Sequence, residues 1–201
     1  MNLHKKAFTT ELHGKKITLE TSRLAEQANA AVLGVYGQTT VLATVVMGRE
    51  NSPKDYLPLT VEFEERFYAA GKILGSRYVR REGKASDVAV LNARIIDRTI
   101  RPLFDQRIRR DIQVVITILS LEENSDPVFI GLLATSAALT ISDIPWNGPA
   151  AGVPLARDSW KAFIAGTAEK INMIELEGFD VPEESIIDSF TAGLGAIKNL
   201  V

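Results

Sequence analysis

Cysteine is absent from the 201 residues. That excludes disulfides, cysteine-ligated zinc, iron–sulfur clusters and a thiol nucleophile, and it suits a reducing compartment. Histidine is nearly absent: only His4 and His13 occur, both near the N-terminus in turn or tail surroundings. A Ser-His-Asp triad or a histidine-held metal needs imidazoles fixed by further partners, and this sequence offers poor material for either. No run approaches the ~18 apolar residues of a membrane span. The opening MNLHKKAFTTELHGKK lacks the apolar core of a signal peptide. A cytoplasmic protein without a membrane partner is therefore expected. No GxSxG, HExxH, Walker A or GxGxxG pattern occurs. Gly193-Leu194-Gly195 is only a fragment of the last, expected to loosen the final helix. What is present is ordinary globular material, with 46% hydrophobic and 24% charged residues. A chain of this length can bury a core without staples.

The net charge of −2 hides an asymmetry. Between Arg77 and Arg110 stand ten basic residues: Arg77, Arg80, Arg81, Lys84, Arg94, Arg98, Arg101, Arg107, Arg109 and Arg110. Four acids accompany them, Glu82, Asp87, Asp97 and Asp105, so this sixth of the chain carries +6 and the remainder −8. A basic stripe on an acidic protein points to a defined anionic partner, or else to a solvated helix face.

Hydrophobic periodicity divides the chain. Residues 7–12 and 15–21 flank His13-Gly14, and residues 30–36 and 39–47 flank Gly37-Gln38, as two hairpins. Residues 59–65 alternate as a half-buried strand, with a polar loop between Gly48 and Leu57. Glu62, Glu64 and Glu65 read either as an acid/base pair or as that strand's solvent side. Residues 68–79 show no period. A helix is expected over 86–101, capped by Ser86, with Val88, Leu91 and Ile95 as its buried stripe. Arg94, Arg98 and Arg101 form its neighbouring face, and Pro102 ends it. A buried strand over 112–121 and an all-round apolar helix over 127–141 follow, the helix capped by Asp126. Three short strands (150–157, 161–166, 172–177) and an amphipathic helix over 182–200 complete an α+β pattern. The sequence stops directly after that helix, which reads as the edge of a domain within a longer product.

The segment RYVRREGKAS gathers Tyr78, Arg80 and Arg81 between glycines. Arginine offers a planar fork for phosphate oxygens, and an aromatic can stack on a base. Together with Arg94, Arg98 and Arg101 this loop could grip successive phosphates of one strand. The alternative for the helix arginines is salt bridging, for instance Asp97 with Arg101 at i, i+4.

LPLTVEFEERFYAAGKILGS, YVRREGKAS, NARIIDRTIRPLF, ATSAALTISDIPWNGP and FIAGT together resemble the first ribonuclease-PH-like half of the bacterial polynucleotide phosphorylases, over nearly the whole chain from Lys5 to Val201. The resemblance implies the ribonuclease PH fold (like ribosomal protein S5 domain 2), an α+β fold of mixed sheets packed with helices. It implies one domain over 1–201, with an N-terminal part to about 145 and a C-terminal part from about 146. It implies a longer two-half enzyme that degrades RNA from the 3′ end by phosphorolysis, releasing nucleoside diphosphates, and that assembles as a homotrimeric ring. Single-stranded RNA would be this half's partner, while inorganic phosphate and nucleoside diphosphates would be handled by the second half. Arg80 and Arg81 match the family's RNA-gripping positions. Tyr78 and Val79 fall where it places an aromatic pair, from which Val79 departs.

The same resemblance places phosphate and magnesium in the second half, on a serine-rich stretch and two carboxylates. Here Ser125-Asp126-Pro127-Val128 stands at the first place, and Asp126 would repel phosphate. Lys161 stands at one carboxylate position, and the stretch between Pro149 and Phe163 is short. No catalytic residue and no metal ligand is therefore expected in this chain. The chain's work would be threading RNA and assembling the ring, with Trp146, Phe163 and Phe179 as candidate assembly residues, each reading equally as ordinary core. A stand-alone non-catalytic ring subunit of an exosome-like complex is the alternative. A self-sufficient enzyme rearranged around Asp158 is a third.

Overall fold

The structure, a computed structural model, describes residues 4–12, 14–73, 83–123, 125–157 and 159–201. Two antiparallel hairpins open it as a meander: β1 (Lys6–Leu12), β2 (Lys15–Thr21), β3 (Ala30–Tyr36) and β4 (Thr39–Asn51). β5 (Leu59–Glu64), helix α1 (Asp87–Ile100) and β6 (Arg110–Ser120) follow. β6 returns to pair with β4, and β5 lies parallel on its outer side, giving the order β1-β2-β3-β4-β6-β5. Parallel neighbours need a crossover, and α1 supplies it.

Helix α2 (Pro127–Ile141) packs on β3 and β4 with one side and on a second sheet with the other. That sheet is the antiparallel ribbon β7 (Ala151–Arg157), β8 (Trp160–Gly166) and β9 (Ile171–Gly178). Helix α3 (Glu183–Leu200) lies against β7 and β8. Enclosure on both sides explains why α2 has no polar stripe: eleven of its fifteen residues are buried. Both faces of β8 are covered as well, so it reads as a continuous apolar run. Close approach selects small residues here. A Cβ on Gly152 would stand 2.5 Å from the Phe163 ring and 2.9 Å from Leu132 Cδ2. A Cβ on Gly193 would stand 2.5 Å from Ile164 Cδ1, so that glycine seats α3 on the sheet rather than loosening the helix.

The structure corrects two expectations and decides between two readings of three aromatics. β4 runs on into the first part of the stretch taken for a loop, as far as Asn51, which re-pairs with Arg110 after an irregularity. α1 does not bury Val88 and Leu91, which are 59% and 57% exposed; its inner face is Ala89, Ala93, Ile96 and Ile100. Phe163 is core, and Trp146 is part of the packing, its Nε1 donating to Ile100 O at 3.2 Å beside Phe104. Of the three aromatics proposed for assembly, only Phe179 stands out in solvent, 88% exposed. The turn residue His13 lies outside the described residues.

One cluster ties the hairpin ends together. The Lys15 ammonium donates to Glu122 at 3.1 Å, the Gln38 N–H donates to the same carboxylate at 3.4 Å, and Gly37 lies beneath it with φ +60. The bond from Lys15, then that from Gln38, holds Glu122 below the usual glutamate range. A depressed folded pKa stabilises above the unfolded value, and that contribution is lost as pH falls through the folded one. Unfolding followed from pH 6 downward should therefore show a shallower loss of stability in Glu122→Gln than in the parent, beginning near the ordinary glutamate pKa of about 4.3. Parallel acid limbs would remove Glu122 from the acid response.

Candidate nucleic-acid interface

α1 is fastened along β5 at both ends. At its start the Ser86 hydroxyl accepts from the Ala89 N–H at 3.0 Å and donates to Glu65 at 2.7 Å. One side chain thus caps the helix and anchors it to the end of β5. At the other end Arg101 donates from Nε and Nη2 to Asp97, at 2.9 and 2.6 Å. It also donates to the carbonyls of Leu57 and Leu59, at 3.3 and 3.0 Å. Four of its five N–H groups are therefore spent on the protein. The last carbonyls of the helix are met from elsewhere: Asn172 Nδ2 donates to Thr99 O and Gln106 Nε2 to Arg101 O, each at 3.0 Å.

This fastening decides which arginines are free. Arg107 forks onto Asp105, which it holds down to about 2. Arg109 donates to the Gln106 and Ile108 carbonyls, and Arg110 to Gly48 O. Arg94 and Arg98 are exposed and, among the described residues, have no hydrogen bond or ion pair. They lie one helical turn apart, with Cβ atoms about 5–6 Å from each other. Val88 and Leu91, also exposed, continue the face toward the start of the helix. The basic run of the sequence is thus divided in space. The fourteen residues of α1 separate its two ends by about 21 Å. Arg107, Arg109 and Arg110 sit beyond the far end, where β6 begins. Tyr78, Arg80 and Arg81, with Arg77 and Val79, lie outside the described residues.

A cleft of about 1590 Å³ runs between β5 and α1, lined by Leu59–Glu65, Lys84, Val90, Arg94 and Asp97, among others. Its carboxylates are engaged. Glu64 accepts from Arg66 at 2.6 Å and from the Thr117 hydroxyl at 3.0 Å, Glu62 from Gln113, and Glu65 from Ser86. This is strand-face chemistry, and no paired acid and base emerges from it.

Ser125, Asp126 and Pro127 close the cleft at the start of α2. Asp126 accepts from the Val128 N–H at 2.9 Å. Surrounding protein atoms raise its pKa, partly offset by that bond. Pro127 has no N–H to offer, so a carboxylate occupies the end of the helix where an anion would otherwise sit. Around the β7–β8 turn, Lys161 pairs with Glu177 at 2.9 Å, which raises the lysine's pKa. Asp158 lies outside the described residues. Among the described residues no three His, Asp or Glu side chains converge as a metal site. Ammonium and spent carboxylates of this kind do not fit magnesium. Sequence reasoning supplied Arg94, Arg98 and the Asp97–Arg101 pair. It missed Ser86–Glu65 and the Arg101 bonds to β5, because neither partner is close in sequence.

Comparison with known proteins gives the setting. The model of the 3′ exoribonuclease family, domain 1, matches residues 13–145. Polyribonucleotide nucleotidyltransferase of Exiguobacterium sibiricum is 42% identical over 217 positions, covering all of this chain and 29% of that protein. The proteins of that name from Brevibacillus brevis and Bacillus subtilis are 41% and 40% identical, covering 98% and 100% of this chain and 30% and 31% of theirs. The chain thus spans about 30% of the length of these curated relatives. Among solved structures, rice Rrp46 superposes with TM-score 0.65 at 13% identity, over 98% of this chain and 90% of that one. The Archaeoglobus fulgidus exosome with RNA bound to the active site gives 0.68 at 14%, over 98% and 86%. At these identities the structural likeness speaks for the fold alone.

Proposed function

Because the chain belongs to the 3′ exoribonuclease family through its ribonuclease PH domain, we propose that it is the RNA-threading first half of a 3′-to-5′ phosphorolytic exoribonuclease. In that reaction a phosphate oxygen attacks the terminal phosphodiester. The 3′ oxygen of the preceding nucleotide leaves, and a nucleoside diphosphate is released from shortened RNA. This half contributes grip. Arg94 and Arg98 neutralise neighbouring phosphates, while Arg101 holds their helix against β5. Tyr78, Arg80 and Arg81 belong to the same reading on the strength of their sequence. Supporting it is one observation above others: in a chain that spends Arg101, Arg107, Arg109 and Arg110 on its own acceptors, Arg94 and Arg98 stand exposed, one turn apart, with no partner among the described residues.

The same reading takes residues 1–201 as one domain, with parts to about 145 and from about 146. Support comes from a shared core, in which Leu132 and Ile130 lie with Val153 and Ile164. It places phosphate chemistry and magnesium in the rest of the protein, and the protein as a trimeric ring in the cytoplasm. No described helix is long and apolar enough to cross a membrane.

The test is binding of oligo(A) to the purified chain, read by fluorescence anisotropy across a salt series. Each phosphate contact contributes about 0.7 to the log–log salt slope for a single strand. Arg94→Ala/Arg98→Ala should reduce the slope by about 1.4 and weaken binding at low salt. An unchanged slope would take α1 out of the RNA path. Phosphate-dependent release of nucleoside diphosphate from poly(A) should be absent in this chain alone. Release that disappears when phosphate is withdrawn would place the chemistry here instead.

A further inference from the structure

We propose that the free edge of β1 pairs with the same edge of a second copy of this chain, antiparallel and centred on Phe8, joining two six-stranded sheets into one. β1 is the outermost strand of its sheet, and all but its last residue are exposed. Phe8 is 68% exposed. β2 behind it is paired to β3 and partly covered, so the open groups are those of β1, and an unpaired edge is a template for another strand.

The backbone fixes which registers are open to it. Lys16 O accepts from the Gly37 N–H, on the β3 side. Alternation along β2 therefore turns Lys15, Ile17, Leu19 and Thr21 toward β1. Their partners there are Leu12, Thr10, Phe8 and Lys6. The N–H and C=O groups of Ala7, Thr9 and Glu11 are thus the ones aimed at the open edge. In an antiparallel pair edge-facing residues stand opposite edge-facing residues, so opposed residues are both odd or both even.

Centring on Phe8 puts Lys5 opposite Glu11 at both ends, Lys6 opposite Thr10, and Ala7 opposite Thr9. The two Phe8 side chains meet at a non-hydrogen-bonded position, where side chains approach most closely. No like charges face each other. Centring on Thr9 instead sets Lys6 against Leu12 and Glu11 against Ala7, and centring on Ala7 sets Lys6 against Phe8. Only the Phe8 register matches charge with charge and aromatic with aromatic. Glu11 has no partner among the described residues. Lys5 holds Glu20 at 2.6 Å and has further ammonium hydrogens to give. The contact is isologous: one strand serves both copies, and it uses neither α1 nor the cleft.

The absence of cysteine makes the test register-specific. Cα atoms at a non-hydrogen-bonded pair lie about 4.5 Å apart, within disulfide range. Oxidised Phe8→Cys should run as a covalent dimer on a non-reducing gel. Thr10→Cys, on the same face but opposite Lys6, should give no covalent dimer. Adding Thr9→Pro to Phe8→Cys removes an edge-facing N–H without touching the bonds to β2, and should abolish the dimer. Independently of any cysteine, Thr9→Pro should weaken self-association of the parent chain by about tenfold or more in sedimentation. A parent chain monomeric at about 100 µM overturns the proposal. So does equal cross-linking at residues 8 and 10, or a cross-link indifferent to Thr9→Pro. RNA binding should be unchanged in all four variants, which separates this contact from the role of α1.

Discussion

Leu132→Ala is expected to lower the free energy of unfolding by about 2–5 kcal/mol, measured by urea denaturation. Leu132 is fully buried in α2, where the helix is roofed by β7. Its Cδ2 lies within van der Waals reach of the space above Gly152, which also holds the Phe163 ring. Removing the side chain takes its apolar surface out of the core and leaves a hollow between rigid walls. On one side stands a hydrogen-bonded sheet, and on the other a helix enclosed by two sheets. Neither can settle into the gap, and poor relaxation puts a leucine deletion toward the costly end of the range. A loss below about 1 kcal/mol would mean that the β7–β9 sheet moves in to fill the space. Its attachment to α2 would then be looser than the packing suggests.

The second large effect is at Arg101. Arg101→Ala should cost about 2 kcal/mol, since hydrogen bonds to charged groups contribute about 1.5–3 kcal/mol and this one is partly open to solvent. The guanidinium is the link between the end of α1 and the start of β5, through Asp97 and the Leu57 and Leu59 carbonyls. Its loss takes a charged donor from each of them, although Leu57 O keeps the Leu59 N–H at 3.0 Å. Arg101→Lys should recover little, because an ammonium cannot span a carboxylate and two carbonyls with the fork's geometry. The contrast with Arg98 is the informative part. Arg98→Ala should leave the urea midpoint nearly unchanged and lower the salt slope of RNA binding by about 0.7. Arg101→Ala should do the reverse. If both substitutions reduce the salt slope equally at unchanged stability, Arg101 reaches RNA and the division drawn between the two arginines is wrong.

What could be read from sequence follows from how local each signal is. The Gly37-Gln38 turn declared the strands at 30–36 and 39–47, the β-branched run declared that at 112–121, and Asp126-Pro127 declared the start of α2 to the residue. Arg101 with Asp97 was legible as an i, i+4 pair. The inner face of α1 was not. Ranking by hydrophobicity favours Val88 and Leu91, whereas a helix pressed on a strand selects Ala89 and Ala93, whose small size lets the backbones approach. The extension of β4 through Gly48 to Asn51 was hidden by polar residues, since that end of the sheet is open to solvent. Strand order was invisible too. Nothing near β5 announces that β6, formed later in the chain, will lie inside it. The division of arginines into free and committed depended on carbonyls and carboxylates that only the folded chain brings near.

The order of strands in the larger sheet has a bearing on how the protein is made. The β1–β4 meander is complete once Asn51 has been synthesised, yet Val41 meets Ile118 and Met47 meets Ile112. The helix that covers Val32, Ala43 and Val45 ends at Ile141. At about 5–20 residues per second, the apolar side of the young meander waits roughly 5–20 s for its cover. Closing so distant a pairing is also slow for entropic reasons. Through that interval the nascent chain presents a bare β-surface with an open edge at each side. Its safe passage depends on whatever shields it at the ribosome.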